Sequence, residues 1–502
     1  MRLVIFFFLL LVSFSSGAQR IVYSQPEKDD TRRMNFEIVG KVGSNFLVYK
    51  NIRNQSHIAV YDNDMKQIGR EEHQYVPDER LINVDFFPYN NFSYMVYQYQ
   101  KKNVVYCKAV KIDEAGKKSS EVLELDTTHI GFNMSNKLYS VISSEDKSQI
   151  MVFKINSRNR SKYVITTLLF DEQLNLKKRS RFMLPMDEKD DYLDEFNIDN
   201  EGDFVFTKFN RTSNETIKSA LMLWKQAESD TVQSIEIPKN EIWLDDPIVK
   251  VDNANKRYFL TSFYYKERRG NIDGFYFFVW DKRSQQPAMQ NTVVLGEDIR
   301  REAKGDANMR MAFNDYFVRN VIVKRDGGFI INSEAYYTTS RLNNWNRFNY
   351  LYGMPFTQFD YLSLSPMYNS WWWRNRYTAG SSVRHHADNI TVLSFDKEGK
   401  LQWSNVIHKE QFDDEGDEKI SFQLMNTGSQ IHYLFNLDER RALLLNDYTL
   451  TPTGEITRNP TLKNLDRGYE FMPKYAKQVS SKQMIIPCYY RNYICFAKIE
   501  FN

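Results

Sequence analysis

A strand that ends at an Asp, a short polar turn and a second strand leaving it recur along the chain, and this unit restricts the fold more than any other feature. It reads HIAVYDNDMKQIG (Asp62), AVKIDEAGKKSSEV (Asp113), TTLLFDEQLNLKK (Asp171), FFVWDKRSQQP (Asp281), TVLSFDKEGKLQW (Asp396) and LLLNDYTLTPTGEI (Asp447). A degenerate copy, LMLWKQAESDTVQ, carries Gln226 at the Asp position. The successive spacings are 51, 58, 55, 55, 115 and 51 residues. Asp bonds its own backbone in tight turns, and Gly116 or Gly399 supplies the positive φ that a hairpin needs. Another apolar run precedes each hairpin, as in SNFLVYKN, FSYMVYQY, SQIMVFKI and GDFVFTKF. Several short strands in a period of about 50 residues predict an all-β chain, a β-propeller of four-stranded antiparallel blades.

The interval of 115 residues contains one such apolar run, Phe329 to Tyr337, after the turn Asp326-Gly327-Gly328. It therefore reads as one blade with an insertion at 338–388. The C-terminal segment supplies about three strands and RIVYS near the N-terminus a fourth. Joined, they complete a last blade and remove the exposed edges of an open sheet. Eight blades follow, with seven as the alternative if two weak units merge, and residues 19–502 form one domain. An outer-membrane barrel, also many alternating strands, needs a continuous lipid-facing apolar side. Charges interrupt most runs here, and the mean hydropathy is −0.57.

The chain begins MRLVIFFFLLLVSFSSGAQR, with a basic residue, a short apolar stretch and small residues at Ser16 and Ala18. This has the form of a secretory signal peptide, residues 1–18, with cleavage after Ala18. The apolar stretch is shorter than the roughly 20 residues of a spanning helix. The expected location is the periplasm, the outer-membrane surface or the exterior, with at most peripheral membrane contact. Basic and acidic residues nearly balance, 67 against 64. Short basic clusters such as Lys177-Lys178-Arg179 read as solvated strand edges, so no nucleic-acid partner is expected.

Three cysteines are present. In IIPCYYRNYICFAKI a hairpin tip at Arg491-Asn492 would set Cys488 opposite Cys495, either as a cross-strand disulfide or as two buried thiols. Cys107 is left over as a core residue.

The blade DGGFIINSEAYY, continued after the insertion by NITVLSFDKEGKLQWSNVI, resembles a group of uncharacterised secreted proteins of Bacteroidota with Tyr-rich insertions between such strands. The resemblance covers roughly 70 residues. It implies an envelope propeller and transfers no catalytic residue.

Roughly a third of residues 336–377 are aromatic, against 15% of the chain, interleaved with Asn, Arg, Ser and Gly. Rigid amphipathic rings among adaptable polar groups are what recognition surfaces use. Trp345, Tyr350, Tyr352, Trp371, Trp372, Trp373, Arg374, Arg376 and Tyr377 are the candidate binding residues. The expected partner is another envelope protein, with a glycan as the alternative. Three consecutive tryptophans cannot face one way on a strand, so core and contact roles are mixed.

None of the seven histidines has metal-ligand spacing, and His385-His386 would point to opposite faces of a strand. The run DDEGDE, Asp413 to Glu418, departs from EF-hand spacing and reads as a solvated loop. No phosphate loop or nucleophile elbow occurs, so no cofactor and no catalytic residue is assigned. A glycan-cleaving alternative would need paired carboxylates near the central channel, for which Asp245, Asp246 and Glu334 are candidates by residue type.

Overall fold

A computed structural model describes residues 19–27, 34–52, 55–77, 80–131, 138–159, 161–187, 190–211, 217–268, 270–340, 347, 383–414, 416–439, 442–462, 468–491 and 493–501. Residues 1–18, expected from the sequence to be a signal peptide, lie outside them.

The turns are built from the carboxylates that the sequence singles out. Asp62 Oδ1 accepts the N–H groups of Asp64 and Lys66, each at 2.9 Å. The same pair of bonds, two and four residues on, recurs at Asp113, Asp171 and Asp396. Gly116 and Gly399 have φ of 77° and 74°. The last unit departs from expectation. Asp447 lies inside the strand Ala442–Leu450, fully buried and facing His432 at 3.0 Å. Thr451 takes the turn, its Oγ1 accepting Glu455 N–H at 3.1 Å, because a hydroxyl can do what a carboxylate does there, more weakly.

Each unit grows into an antiparallel sheet. Seven four-stranded meanders run over residues 34–72, 81–129, 139–185, 191–236, 248–294, 316–407 and 422–458, here blades 1 to 7, the fourth and fifth within one continuous sheet. In the eighth blade Arg20–Tyr23 pairs with Tyr493–Glu500, beside Gln483–Tyr490. The two ends of the chain thus close the ring. Blades 4 and 5 are bridged by Trp243–Leu244, which pairs with both.

Every blade packs its apolar face on the next. Phe153 of blade 3 meets Phe204 and Phe206 of blade 4, and Phe277 of blade 5 meets Phe329 and Phe395 of blade 6. Leu434 and Leu445 of blade 7 meet Met484 and Ile486 of blade 8. Phe46 and Val48 of blade 1 meet Ile485 and Phe496 of blade 8. Buried clusters of this kind join all eight successive pairs, which decides for eight blades. Each fully buried large apolar side chain contributes about 1.5–3 kcal/mol, so the ring is held by its interfaces.

The innermost strands, such as Ile248–Asp252, Phe422–Asn426 and Lys477–Ser480, are short and mixed in polarity, and the repeat does not reveal them. Bulges interrupt several, between Ile38 and Gly40, Asp194 and Asn197, and Val318 and Asn320. A helix, Glu297–Lys304, joins blades 5 and 6, acidic in its first turn and basic in its last, with Ile299 and Ala303 buried. No helix among the described residues is long and apolar enough to cross a membrane.

Cys488 and Cys495 are register partners, as the hairpin reading expects, and both are buried. They stand as thiols with sulfurs 2.9 Å apart. A disulfide needs about 2.05 Å, a small closure for two side chains already opposed. Protein secreted through an oxidising compartment and denatured without reductant is expected to show one titratable thiol, Cys107. A count of three would mean that the bond does not form.

Candidate functional site

The insertion leaves blade 6 between Phe329–Ser340 and Val383–Phe395, which stay paired as far as Ser340 and Val383. Thr338 and Asp388, the ends expected for the insertion, therefore belong to this long hairpin. Near its end Tyr336 Oη meets His385 Nδ1 at 2.8 Å, while Tyr337 stacks on His386 at 4.5 Å. Trp345, Tyr350, Tyr352, Trp371, Trp372, Trp373, Arg374, Arg376 and Tyr377 lie outside the described residues. Arg347 is the one residue of 341–382 that is described.

That arginine is planted in the ring. Its Nε donates to Asp245 Oδ2 at 2.7 Å, its Nη2 lies 2.6 Å from the same oxygen, and Nη1 donates to the Tyr316 carbonyl. Its guanidinium lies 4.0 Å above the Phe317 ring and 5.5 Å from that of Phe263. Both partners of the ion pair are nearly covered, with 11% of the Arg347 side chain exposed and 6% of Asp245. Burial, and then the neighbouring Asp245, push the Asp246 carboxyl up to about 7 despite Arg347 and Arg211. Burial also raises Asp194 and Glu195, the latter held at φ 58° in its bulge while accepting the Val249 N–H at 2.8 Å.

Glu334 is completely enclosed, as is Lys409, whose Nζ approaches it at 2.9 Å. Arg319 Nε lies at 3.1 Å, and Ser421 Oγ donates at 2.6 Å. Burial works to raise this carboxyl, but Lys409 and Arg319 outweigh it and hold it below the usual carboxylate range. Lys409 also donates to the Ala387 carbonyl and to Gln411 Oε1, both at 2.6 Å. Arg319 lies 5.7 Å from the Phe317 ring that Arg347 covers. A seam thus runs Asp245, Arg347, Phe317, Arg319, Glu334, Lys409, tying the insertion to the linker before blade 5, to blade 6 and to the segment leading into blade 7.

Chemically, the seam is arranged for holding. Asp245 and Glu334 stand on opposite sides of two guanidinium groups and a ring, each carboxylate bonded to a cation. The Asp246 carboxyl, raised by burial, can exchange its proton near neutral pH. His57 and His73 are buried, and burial pushes both down to about 4, which leaves them neutral.

Within the run DDEGDE, Asp414 takes Arg384 Nε and Nη2 at 2.7 and 2.9 Å, and Asp417 takes Lys474. A denser acidic group lies in the turn IDNEGD, where Asp199, Glu201 and Asp203 bring carboxylate oxygens within 4.8 Å of one another. Alternate acids flanking a Gly could have flagged it in the sequence. Lys282 Nζ bonds to all three, at 2.6 Å to Asp199 and 2.8 Å to Asp203, so this protein's own ammonium sits where a cation would.

No family model and no curated protein matches the chain. Among solved structures, an ulvan lyase of the polysaccharide lyases is 9% identical over 82% of this chain and 90% of its own, with a TM-score of 0.37. Prolyl oligopeptidase B from Galerina marginata is 8% identical over 91% of this chain at a TM-score of 0.41, and the match spans 55% of that enzyme. An apocarotenoid oxygenase from Synechocystis is 10% identical over 90% of this chain and 95% of its own, at 0.36. Likeness at this level carries no argument about activity.

Proposed function

We propose that the protein is a non-catalytic, exported binding scaffold of the bacterial cell envelope, recognising a protein partner through its aromatic insertion. The observation that carries this reading is Arg347: an inserted segment rooted in a buried ion pair on a closed ring loses less ordering entropy when a partner docks. The composition of 338–388, rich in Trp and Tyr beside Arg, fits the anchors that dominate interface energy. The glycan-cleaving alternative has Asp246 in its favour as a group that can exchange a proton at neutral pH. It also needs a second carboxylate at liberty, and Asp245 and Glu334 are both committed to cations.

The test compares the mature protein with two variants, one with 341–382 replaced by a Gly-Ser linker and one with Trp371, Trp372 and Trp373 changed to Ser. Envelope extract is passed over each, and any retained protein is purified and titrated back. One protein that binds the intact chain directly and both folded variants at least about tenfold more weakly is the expected result, the scale of a lost hot spot. Equal binding to all three overturns the reading.

A further inference from the structure

The basic cluster Lys177-Lys178-Arg179, read from the sequence as a solvated edge, is split by the structure between two faces. Lys178 pairs with Asp230 of blade 4 at 3.2 Å, whereas Arg179 turns to Asp126 of blade 2 at 2.8 Å. Arg179 thereby lines a cavity of about 510 Å³ between blades 2 and 3, within the roughly 300–1,000 Å³ range of ligand pockets.

Every side chain lining this cavity is polar. The register explains why the cations gather: Lys154 stands opposite Thr166, and Thr166 opposite Arg181, so one row crosses three strands of blade 3 on the face turned to blade 2. Lys154 is nearly buried and fixed, its Nζ at 2.5 Å from Asp126 Oδ2 and donating to Thr128 Oγ1 at 2.7 Å. Asp126 is thus shared by Lys154 and Arg179. Arg181 and His129 are exposed on the cavity wall and form no ion pair among the described residues. Among the described residues the lining carries three basic side chains, Lys154, Arg179 and Arg181, against one contacting carboxylate, that of Asp126, a surplus of positive charge.

We infer that this cleft binds a carbohydrate bearing a carboxylate or sulfate group. The oxyanion would be taken by Arg181 beside Arg179, a planar donor fork suited to such groups. The hydroxyls of Thr128 and Thr166 and the neighbouring amide of Asn156 can both donate and accept, as sugar hydroxyls do. Apart from the His129 imidazole the lining carries no aromatic or aliphatic side chain, which gives an apolar peptide side chain or a nucleobase little surface to bury. The site is separate from the insertion and independent of the function proposed for it.

The test is calorimetry on the mature chain with four probes: a glucuronate-containing tetrasaccharide, its carboxyl-reduced neutral counterpart, a sulfated disaccharide and inorganic sulfate. Binding of either acidic sugar, and not of the neutral one, is expected, weakening as salt is raised. Arg181→Gln should weaken it about tenfold or more, the scale of one charge-assisted hydrogen bond, whereas Lys178→Gln, an equal charge loss on the opposite face, should not. Equal effects of the two substitutions would mean diffuse attraction and overturn the site. Binding of sulfate alone, equal binding of the neutral sugar, or no binding overturns the carbohydrate assignment.

Discussion

Replacing Lys409 by Met is expected to lower the stability of the ring by about 3–5 kcal/mol, the usual cost of removing one partner of a buried ion pair. Met keeps the apolar stem, so the loss reports the charge. Glu334, fully enclosed, would keep Arg319 at 3.1 Å but lose the enclosed ammonium at 2.9 Å, and two acceptors at 2.6 Å would lose their donor. The double variant Glu334→Leu, Lys409→Met leaves no carboxylate uncompensated there and is expected to recover much of the loss, because buried pairs contribute little net stability beyond an apolar substitute. The sign with pH follows from the lowered Glu334 carboxyl. Its contribution is present above the normal carboxylate range and is lost as pH falls through its lowered value. Denaturant midpoints of the four proteins in the cycle measure these terms. A cost for Lys409→Met below about 1 kcal/mol, the level of an exposed pair, would contradict the account.

The second large effect is at Arg347. Arg347→Ala leaves Asp245 without its guanidinium, and the same reasoning gives a loss of about 3–5 kcal/mol near neutral pH. Here the pH dependence runs the other way. Asp246 is raised to about 7, mainly by burial and then by Asp245, so its favourable contribution is complete below the unfolded carboxylate value of roughly 4 and is lost as pH rises through 7. Above 7 two adjacent carboxylates are charged, and Arg347 is one of the two cations that offset them. The substitution should therefore cost more at pH 8.5 than at pH 5.5, read from denaturant midpoints at both values. Limited proteolysis separates anchoring from folding: cleavage within 341–382 should accelerate at denaturant concentrations where the ring stays intact. Equal costs at both pH values would remove the electrostatic account, and unchanged cleavage would remove the anchor.

Much of the ring was legible in the sequence because its instructions are local. An Asp that bonds the N–H groups two and four residues on needs only its own turn, so Asp62, Asp113, Asp171 and Asp396 could be placed without knowing what surrounds them. Closure by the terminal strands followed from counting strands against the repeat. Asp447 shows where local reading stops: Asn446-Asp447 has turn composition, yet both residues are buried and the chain turns at Thr451. The innermost strands escaped because a short segment with bulges along it keeps no clean alternation.

The charged seam and the cleft were beyond reach for a different reason. Arg347 finds Asp245 across 102 positions, and Arg179 finds Asp126 across 53, at contacts that exist only once particular blade faces meet. In the sequence Lys178 and Arg179 are equivalent neighbours. Strand pleating turns one toward blade 4 and the other toward blade 2, and only the second reaches a cavity. By itself the sequence determined strand, turn, repeat and closure, since these depend on backbone bonding within a few residues. Tertiary structure alone decided which carboxylates are neutralised and where cations gather, since charge partners depend on the packing of blades distant in sequence.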